Sequence, residues 1–158
     1  MPTPPVRIGL ISDTHGLLRP QAVEFLRGSD HILHAGDIVG TPVLDGLAAL
    51  APLSAVRGNN DYGDWALALP ETVTLTLGGV VIHMLHDLKE LAIDPAANGV
   101  RVVVTGHTHK PACEERDGVL YVNPGAAGRR RFTLPVSVGE LLIEDGKVDV
   151  RLVTLDVA

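Results

Sequence analysis

The sequence has little cysteine, few aromatic residues and no long apolar run. Cys113 is its single cysteine, so no disulfide can form within the chain, and a reducing, cytoplasmic location is expected. Aromatic residues make up 3% of the chain, which leaves few rings for stacking on nucleobases or sugars. No apolar run approaches the roughly 20 residues that a membrane-spanning helix needs. The first residues, Met1 to Arg7, lack the regions of a signal peptide. These absences argue against a secreted disulfide-rich protein and against a membrane protein.

The chain also lacks an excess of basic residues. Its formal net charge is −6 with His neutral, whereas an extended nucleic-acid surface needs a basic face. A small anionic substrate stays compatible with this charge, because bound metal ions can reverse the local field. Hydrophobic residues make up 46% and charged residues 20%, which is typical of a globular protein. The length of 158 residues predicts a single domain, residues 1–158.

The first half of the chain alternates strand-like and helix-like segments. Short apolar runs predict buried strands at Val6–Ile11, Ile32–Leu33 and Leu53–Val56. Pro20–Arg27 predicts a helix that ends at Gly28, and Thr41-Pro42 predicts the cap and first position of a helix through Leu50. This β-α-β-α-β order favours a layered sheet with right-handed crossovers.

The second half is richer in hairpins. Val73, Leu75 and Leu77 alternate with threonines, which predicts a half-buried strand. Turns are predicted at Gly78-Gly79, Asp117-Gly118 and Asp145-Gly146. The remaining predicted strands are Val80–Leu85, Arg101–Thr105, Cys113–Arg116, Val119–Val122, Ser137–Ile143 and Val148–Leu155. A βαβ half followed by an antiparallel half predicts an α/β fold of two packed mixed sheets with helices outside.

Polar side chains follow five of the predicted strands. Ligands of open α/β sheets gather at the carboxyl ends of strands, so these side chains are expected to meet. Taken singly, an Asp or Asn after a strand is more typical of a turn, and a His of a polar loop. Taken together, they favour a metal site. The candidate ligands are Asp13, His15, Asp37, Asn59, His86, His107 and His109.

This ordered series resembles the signature of the calcineurin-like metallophosphoesterase superfamily. The matching motifs are Asp13-x-His15, Gly36-Asp37, Gly58-Asn59-x-Asp61, His86 and Gly106-His107-x-His109. The short length and Asn123-Pro124-Gly125 resemble the small bacterial and archaeal phosphodiesterase branch. The resemblance implies a four-layer sandwich of two mixed sheets flanked by helices.

The resemblance also implies a centre with two divalent metal ions. Asp13, His15 and His109 would bind one ion, Asn59, His86 and His107 the other, and Asp37 would bridge both. Oxygen and imidazole ligands without thiolate suit manganese, iron, zinc, magnesium or nickel, and manganese is the first choice by resemblance.

The charge balance of such a centre suits a phosphate ester. Two divalent ions bring four positive charges and the two Asp side chains remove two, which leaves about two to attract phosphate. A bridging water would become a hydroxide able to attack phosphorus, because a metal can lower the pKa of water from about 15.7 to about 7. No catalytic side chain is expected beyond that hydroxide. The sequence therefore predicts a metal-dependent hydrolase of small phosphate esters.

One position departs from the related Ser/Thr phosphatases, in which a His thought to protonate the leaving group follows the metal-binding Asn. Here that residue is Asn60, and a neutral amide is a poor general acid. This favours substrates with good leaving groups, or protonation by water, and weakens the case for a protein phosphatase. Together with the complete ligand set, it favours a phosphodiesterase. A phosphomonoesterase is the close alternative. A protein-binding scaffold is the distant one, because a retromer subunit of this branch uses the same fold in that way. Asp61 is a candidate for orienting a neighbouring group.

Several other residues carry weaker signals. Asn59 and Arg131 are candidate substrate contacts, although Arg129–Arg131 also fits a solvated basic loop. His31, His34 and His83 lie inside strand-like runs and are expected to pack or to support the site, with His83 the main rival of His86. Cys113 is expected to be a small core residue. Exposed strand edges leave a homo-oligomer open.

Overall fold

The structure is a computed structural model that describes residues 4–131 and 133–157. Ten strands form two five-stranded mixed sheets. Sheet A has the order β10-β9-β1-β2-β3, and its strands in that order are Lys147–Thr154, Ser137–Glu144, Val6–Ile11, His31–His34 and Leu53–Ala55. Sheet B has the order β4-β5-β6-β8-β7, and its strands in that order are Thr72–Leu77, Val80–Leu85, Val102–Val104, Val119–Asn123 and Ala112–Arg116. The prediction of two mixed sheets is confirmed.

The two sheets pack face to face around one apolar core. The core residues come from β1, β2 and β9 of sheet A and from β5, β6 and β8 of sheet B, and include Leu10, Leu33, Ile82, Val104 and Leu141. The half-buried alternation of β4 arises because its valine and leucines face this core while its threonines face solvent. The inner faces of both sheets are thereby removed from water.

Helices cover the outer face of sheet A. They are α1 (Pro20–Leu26), α2 (Thr41–Ala48) and α3 (Asp64–Leu67), each with side chains in a second apolar cluster. A proline lies in the first turn of α1 and of α2, where its missing N–H costs no helical hydrogen bond. Thr41 was predicted to be the cap of α2, but it is the first helical residue and Gly40 precedes it as the cap, with a φ of 135°. That helix ends at Ala48, and α3 was not predicted because one turn has no readable period.

The outer face of sheet B has a different cover. The segment after β5 contains two 3-10 turns, Leu88–Glu90 and Ala96–Asn98, and packs Leu88, Leu91 and Ile93 on that face. The fourth layer of the sandwich is therefore made of short turns rather than of α-helices. No helix in the described ranges has the length and apolar character required to cross a membrane.

Two Asp-Gly pairs make the tight hairpins that the sequence predicted. In each pair both residues have positive φ, 51° and 77°, as the type I′ turn requires. They join β7 to β8 and β9 to β10 in antiparallel register. The prediction that Cys113 lies in the core is wrong: β7 is the edge strand of sheet B, and the Cys113 side chain is exposed.

The parallel strands decide where the polar loops meet. In sheet A, β1, β2 and β3 run parallel, and in sheet B so do β5, β6 and β8. Hydrogen bonds link the loops that follow them, as from Gly106 N to His86 O and from Asp13 N to Gly36 O. The carboxyl ends of six strands thus lie at one end of the sandwich.

Two adjacent residues of β9 test the core between the sheets. Leu141 is fully buried, whereas Leu142 points outward and is 38% exposed. We expect Leu141→Ala to lower the free energy of unfolding by about 2–5 kcal/mol, because it leaves a cavity. Leu142→Ala should cost less than about 1 kcal/mol. Urea unfolding of both variants measures the difference, and equal losses would contradict this packing.

Candidate metal centre

The loops after four strands bring five of the predicted ligands into one cluster. Asp13 and His15 follow β1, Asp37 follows β2, His86 follows β5, and His109 follows β6. The ligand atoms form two groups, and within each group the atoms all lie within 4.8 Å of one another. One group is Asp13, His15 and His109, and the other is Asp13, Asp37 and His86. Asp13 belongs to both groups and so lies between them.

The distances place imidazole nitrogens around two carboxylate oxygens. Asp13 Oδ1 lies 3.4 Å from His109 Nε2, 3.8 Å from His15 Nε2 and 3.9 Å from His86 Nε2. Asp37 Oδ2 lies 3.3 Å from His86 Nε2 and 3.7 Å from His15 Nε2. These are contacts between charged and polar groups around a common point, a geometry suited to a cation.

The two oxygens of Asp13 have different surroundings. Oδ2 accepts hydrogen bonds from Ser12 Oγ at 2.6 Å and from His107 N at 3.1 Å. Oδ1 faces the imidazoles and has no hydrogen-bond partner among the described residues. The first oxygen is thus held by the protein, and the second is left to bind.

The histidines also leave nitrogens without partners. Within the described ranges, His15 Nε2, His86 Nε2 and His109 Nδ1 are buried and make no hydrogen bond. His86 Nδ1 lies 2.7 Å from the carbonyl oxygen of Ala35, which can only accept, so Nδ1 carries a proton and Nε2 of the neutral ring has a free lone pair. A backbone carbonyl holding the far nitrogen in this way is typical of metal-binding His. Buried lone pairs without partners fit a metal centre.

Asn59 and His107 lie together at the outer rim of this cluster. His107 Nδ1 is 3.2 Å from Asn59 Oδ1, and the His107 ring meets the His86 ring edge-on at 5.2 Å between centroids. Both residues are exposed, and His107 Nε2 also lies 3.7 Å from Asp87 Oδ2. The structure brings them next to the buried cluster but on its solvent side.

The carboxylates and imidazoles shift one another's pKa. Burial opposes ionisation of Asp13, but His109, His15 and Ser12 outweigh it and hold the pKa of this carboxyl well below its usual range. Asp13 raises the pKa of His15. Burial lowers the pKa of His86, but Asp37 and Asp13 outweigh it and raise the pKa to about 8. The carboxylates therefore attract positive charge to this point.

Asp61 ties two of the site loops together. Its buried carboxylate accepts from three backbone N–H groups: Asp37 N at 3.0 Å, Val39 N at 2.8 Å and Gly58 N at 2.8 Å. The loop after β2 carries Asp37, and the loop after β3 carries Asn59. One side chain thus sets the position of the predicted ligands in two loops.

Asn60 contacts Asp37 directly. Its backbone N–H donates to Asp37 Oδ1 and its side-chain amide to Asp37 Oδ2, both at 2.9 Å. Burial opposes ionisation of Asp37, but His86 and Asn60 outweigh it and lower its pKa. In place of a general acid, Asn60 supplies donors that orient a carboxylate.

Two further residues support the site: His34, which was expected to pack or to support it, and Asn123, whose supporting role was missed. His34 is fully buried; its Nδ1 accepts from Gly36 N, so Nε2 carries the proton and donates to Thr14 Oγ1 at 3.0 Å. Burial lowers the pKa of His34 to about 3, which keeps it neutral. Asn123 donates to Gly106 O and Thr108 Oγ1, which brace the loop of His107 and His109. The motif Asn123-Pro124-Gly125 was the only sequence signal for this role.

The other predicted residues lie outside the cluster. His31 pairs with Ser54 and His83 with Thr74, so neither histidine faces the site. Arg131 is exposed and follows Gly128, whose N–H donates to Asp13 O. The positive charge of Arg131 acts to lower the pKa of His15, against the larger effect of Asp13. Arg131 is thus at the rim of the site.

The chain matches the calcineurin-like phosphoesterase superfamily domain over residues 6–146. It is 34% identical to a probable metallophosphoesterase of Methanocaldococcus jannaschii, covering 94% of this chain and 81% of that protein. A solved archaeal phosphodiesterase superposes with a TM-score of 0.80 at 27% identity, covering 95% of this chain and all of the other. Vps29 of Entamoeba histolytica in complex with Zn²⁺ gives a TM-score of 0.71 at 26% identity, covering 96% of this chain and all of the other.

Such a match over most of the chain defines its class. The protein belongs to the calcineurin-like phosphoesterase superfamily. The proteins it resembles include a probable metallophosphoesterase and an archaeal phosphodiesterase. Membership implies a phosphoesterase that binds divalent metal ions.

Replacing Asp61 tests how far the site depends on its supporting loops. In Asp61→Asn an amide NH₂ would face backbone N–H donors, so we expect a loss of about 1–3 kcal/mol in unfolding free energy. Metal affinity should fall by about 10–100-fold, because the loops of Asp37 and Asn59 lose a common anchor. Calorimetric metal titration measures this, with the exposed Asp64→Asn as control. Unchanged metal affinity in Asp61→Asn would contradict the role of this anchor.

Proposed function

We propose that the protein is a phosphodiesterase that hydrolyses a small phosphodiester with two divalent metal ions. The observation that carries the proposal is the convergence of Asp13 Oδ1 with His15 Nε2 and His86 Nε2, three buried atoms that make no hydrogen bond in the described ranges. Acidic side chains alone are common without metals; buried lone pairs directed at one point are costly unless something binds them.

The side chains divide into two ligand groups. Asp13, His15 and His109 would hold one ion, supported by their mutual distances and by the 5.4 Å spacing of the two rings. His86, His107 and Asn59 would hold the second, supported by their contacts at the rim. Asp37 would bridge, because its Oδ2 faces both His86 and His15.

The ligand chemistry favours borderline and hard metal ions. Carboxylate, amide and imidazole donors without thiolate suit manganese first by family resemblance, with iron, zinc, magnesium and nickel as alternatives. When bound, such ions supply an activated water and offset the charge of the phosphate. The chain's own side chains would hold that centre in place, with Asp61 and Asn60 fixing Asp37 and Asn123 fixing the loop of His107.

A diester preference is supported by the residue beside Asp37. The Asn60 amide donates to Asp37 and cannot give a proton to a leaving group near pH 7. Hydrolysis breaks one P–O bond and releases one alcohol, and without a protein acid that alcohol must leave readily or take its proton from water. Arg131 at the rim would contact the phosphate as a bidentate donor.

Replacement of the bridging carboxylate tests the two-ion centre. Asp37→Asn should lower the bound manganese, measured by elemental analysis, and reduce hydrolysis of bis-p-nitrophenyl phosphate by about 100-fold or more, because the site loses a negative charge shared by both ions. Asp149→Asn, an exposed Asp on β10, should change neither. Wild-type protein that binds metal but hydrolyses no phosphoester would instead favour a protein-binding scaffold, as the shared fold with Vps29 allows.

Substrate comparison separates diesterase from monoesterase. With manganese, we expect a higher kcat/KM for bis-p-nitrophenyl phosphate than for p-nitrophenyl phosphate. In Asn60→His, turnover of diesters with poor alkoxide leaving groups should rise by about tenfold or more relative to p-nitrophenyl diesters, because an imidazolium can act as general acid. Metal content of the variant is the control. A wild-type preference for the monoester would reverse the assignment.

A further inference from the structure

Two cavities have His107 in their walls. Both are lined by His107 and Asp87, so each adjoins the rim of the metal centre. The smaller cavity, about 200 Å³, is polar, with Arg57, Glu71 and Glu90 in its wall. The larger, about 460 Å³, is the β7–β8 groove, lined among others by Leu88, Lys89, Lys110, Ala112, Arg116 and Tyr121.

The β7–β8 groove runs away from the metal centre over the outer face of sheet B. Its upper end is formed by Gly106, His107 and Thr108, in the loop that carries two of the predicted ligands. Its floor is formed by alternate residues of β7 and β8: Ala112 pairs with Asn123 and Glu114 with Tyr121, which share one face because side chains alternate along a strand. Leu88 and Lys89 form one wall of the groove, and the segment that they begin does not cover the outer face of β7 and β8 there.

The charge of the groove differs from that of the whole chain. Lys89, Lys110 and Arg116 face Asp87 and Glu114, three positive charges against two negative, whereas the chain carries a net −6. Glu114 pairs with Arg116 at 3.1 Å, and among the described residues neither lysine forms an ion pair. The groove therefore combines an apolar surface with two cationic groups, which suits an organic anion.

We propose that the β7–β8 groove binds the bulkier esterified group of a phosphodiester, an aromatic or other planar apolar group, while the phosphate lies at the metal centre beside His107. The smaller polar cavity takes the second esterified group. This assignment rests on the proposed function. A monoester has one such group and would leave one of the two cavities unused.

The size and lining of the groove support a planar group. A volume of about 460 Å³ lies in the usual range of small-ligand sites, about 300–1,000 Å³. Tyr121 is half-buried on the floor, and the Arg116 guanidinium lies 4.8 Å from the centre of its ring. A planar ligand can stack on that guanidinium or meet the ring at its edge.

Binding of two stable diesters tests the groove apart from catalysis. Calorimetric titration of the manganese-loaded full chain should give tighter binding for diphenyl phosphate than for dimethyl phosphate. Ala112→Trp places an indole in the groove from an exposed strand position. It should lower the affinity for diphenyl phosphate by about 10–100-fold, because that is the effect of burying one aromatic ring, and leave the affinity for dimethyl phosphate unchanged. Glu115→Trp, equally exposed on β7 but outside the groove, should change neither.

Backbone amide shifts of the wild type locate the ligand without any variant. Diphenyl phosphate should move the resonances of Ala112 and Tyr121, and dimethyl phosphate should not. Equal affinity for the two diesters, unmoved groove amides, or equal weakening by both tryptophan variants would overturn the proposal. A further outcome separates the two proposals. If the protein binds diphenyl phosphate more tightly than dimethyl phosphate, and Ala112→Trp removes this preference, the groove assignment stands. If the same protein does not hydrolyse bis-p-nitrophenyl phosphate, the phosphodiesterase assignment fails.

Discussion

Two buried carboxylates at the ends of β1 and β2 set the main constraint on this molecule. Asp13 is fully buried and Asp37 nearly so, and His15 Nε2 lies 3.8 Å from one and 3.7 Å from the other. Buried like charges this close are costly unless positive charge lies between them. The raised pKa values of His15 and His86 have this cause, because the carboxylates favour the protonated imidazoles. A divalent cation would meet it better than a proton, because it can accept several of the surrounding lone pairs at once.

The backbone around these carboxylates is itself strained. Eight described residues other than glycine have positive φ; two belong to the Asp-Gly hairpins, and the other six lie in the site loops: Asp13, His15, Asp37, Val39, His107 and His109. Each such conformation costs about 1–3 kcal/mol and persists only where the surroundings enforce it. The enforcement is visible: Asp61 holds Asp37 N and Val39 N, and a Cβ at Gly58 or Gly106 would overlap Asp37 or Ser12. The close packing of the loops therefore holds the backbone of these residues in its strained conformation.

The strands, and which polar side chains lie close together, could be predicted from the sequence better than the hydrogen bonds that support those side chains. β1, β5 and the hairpins are local patterns of apolar residues and Asp-Gly turns, so their positions could be read directly. Asp13, His86 and His109 could be placed together because parallel strands end at one edge. The roles of His34, Asn60 and Asn123 depend on hydrogen bonds between loops far apart in the chain, which no local pattern encodes. Cys113 was misplaced for the same reason: its exposure follows from β7 being an edge strand, a property of sheet order.

The position of His107 would link the proposed metal centre to substrate choice. It is exposed, contacts Asn59 on one side and approaches Asp87 on the other, and forms part of the wall of both cavities. A phosphate bound beside it would project one oxygen substituent toward each cavity, so the chemistry of the two walls would select the esterified groups independently. The polar wall offers hydrogen bonds and the β7–β8 groove offers apolar area with cationic edges. Because the chain carries a net charge of −6, an anionic substrate would gain most where this positive edge adjoins the proposed metal centre. Recognition and charge attraction would thus converge on the same side of the sandwich, at the loop that Asn123 braces.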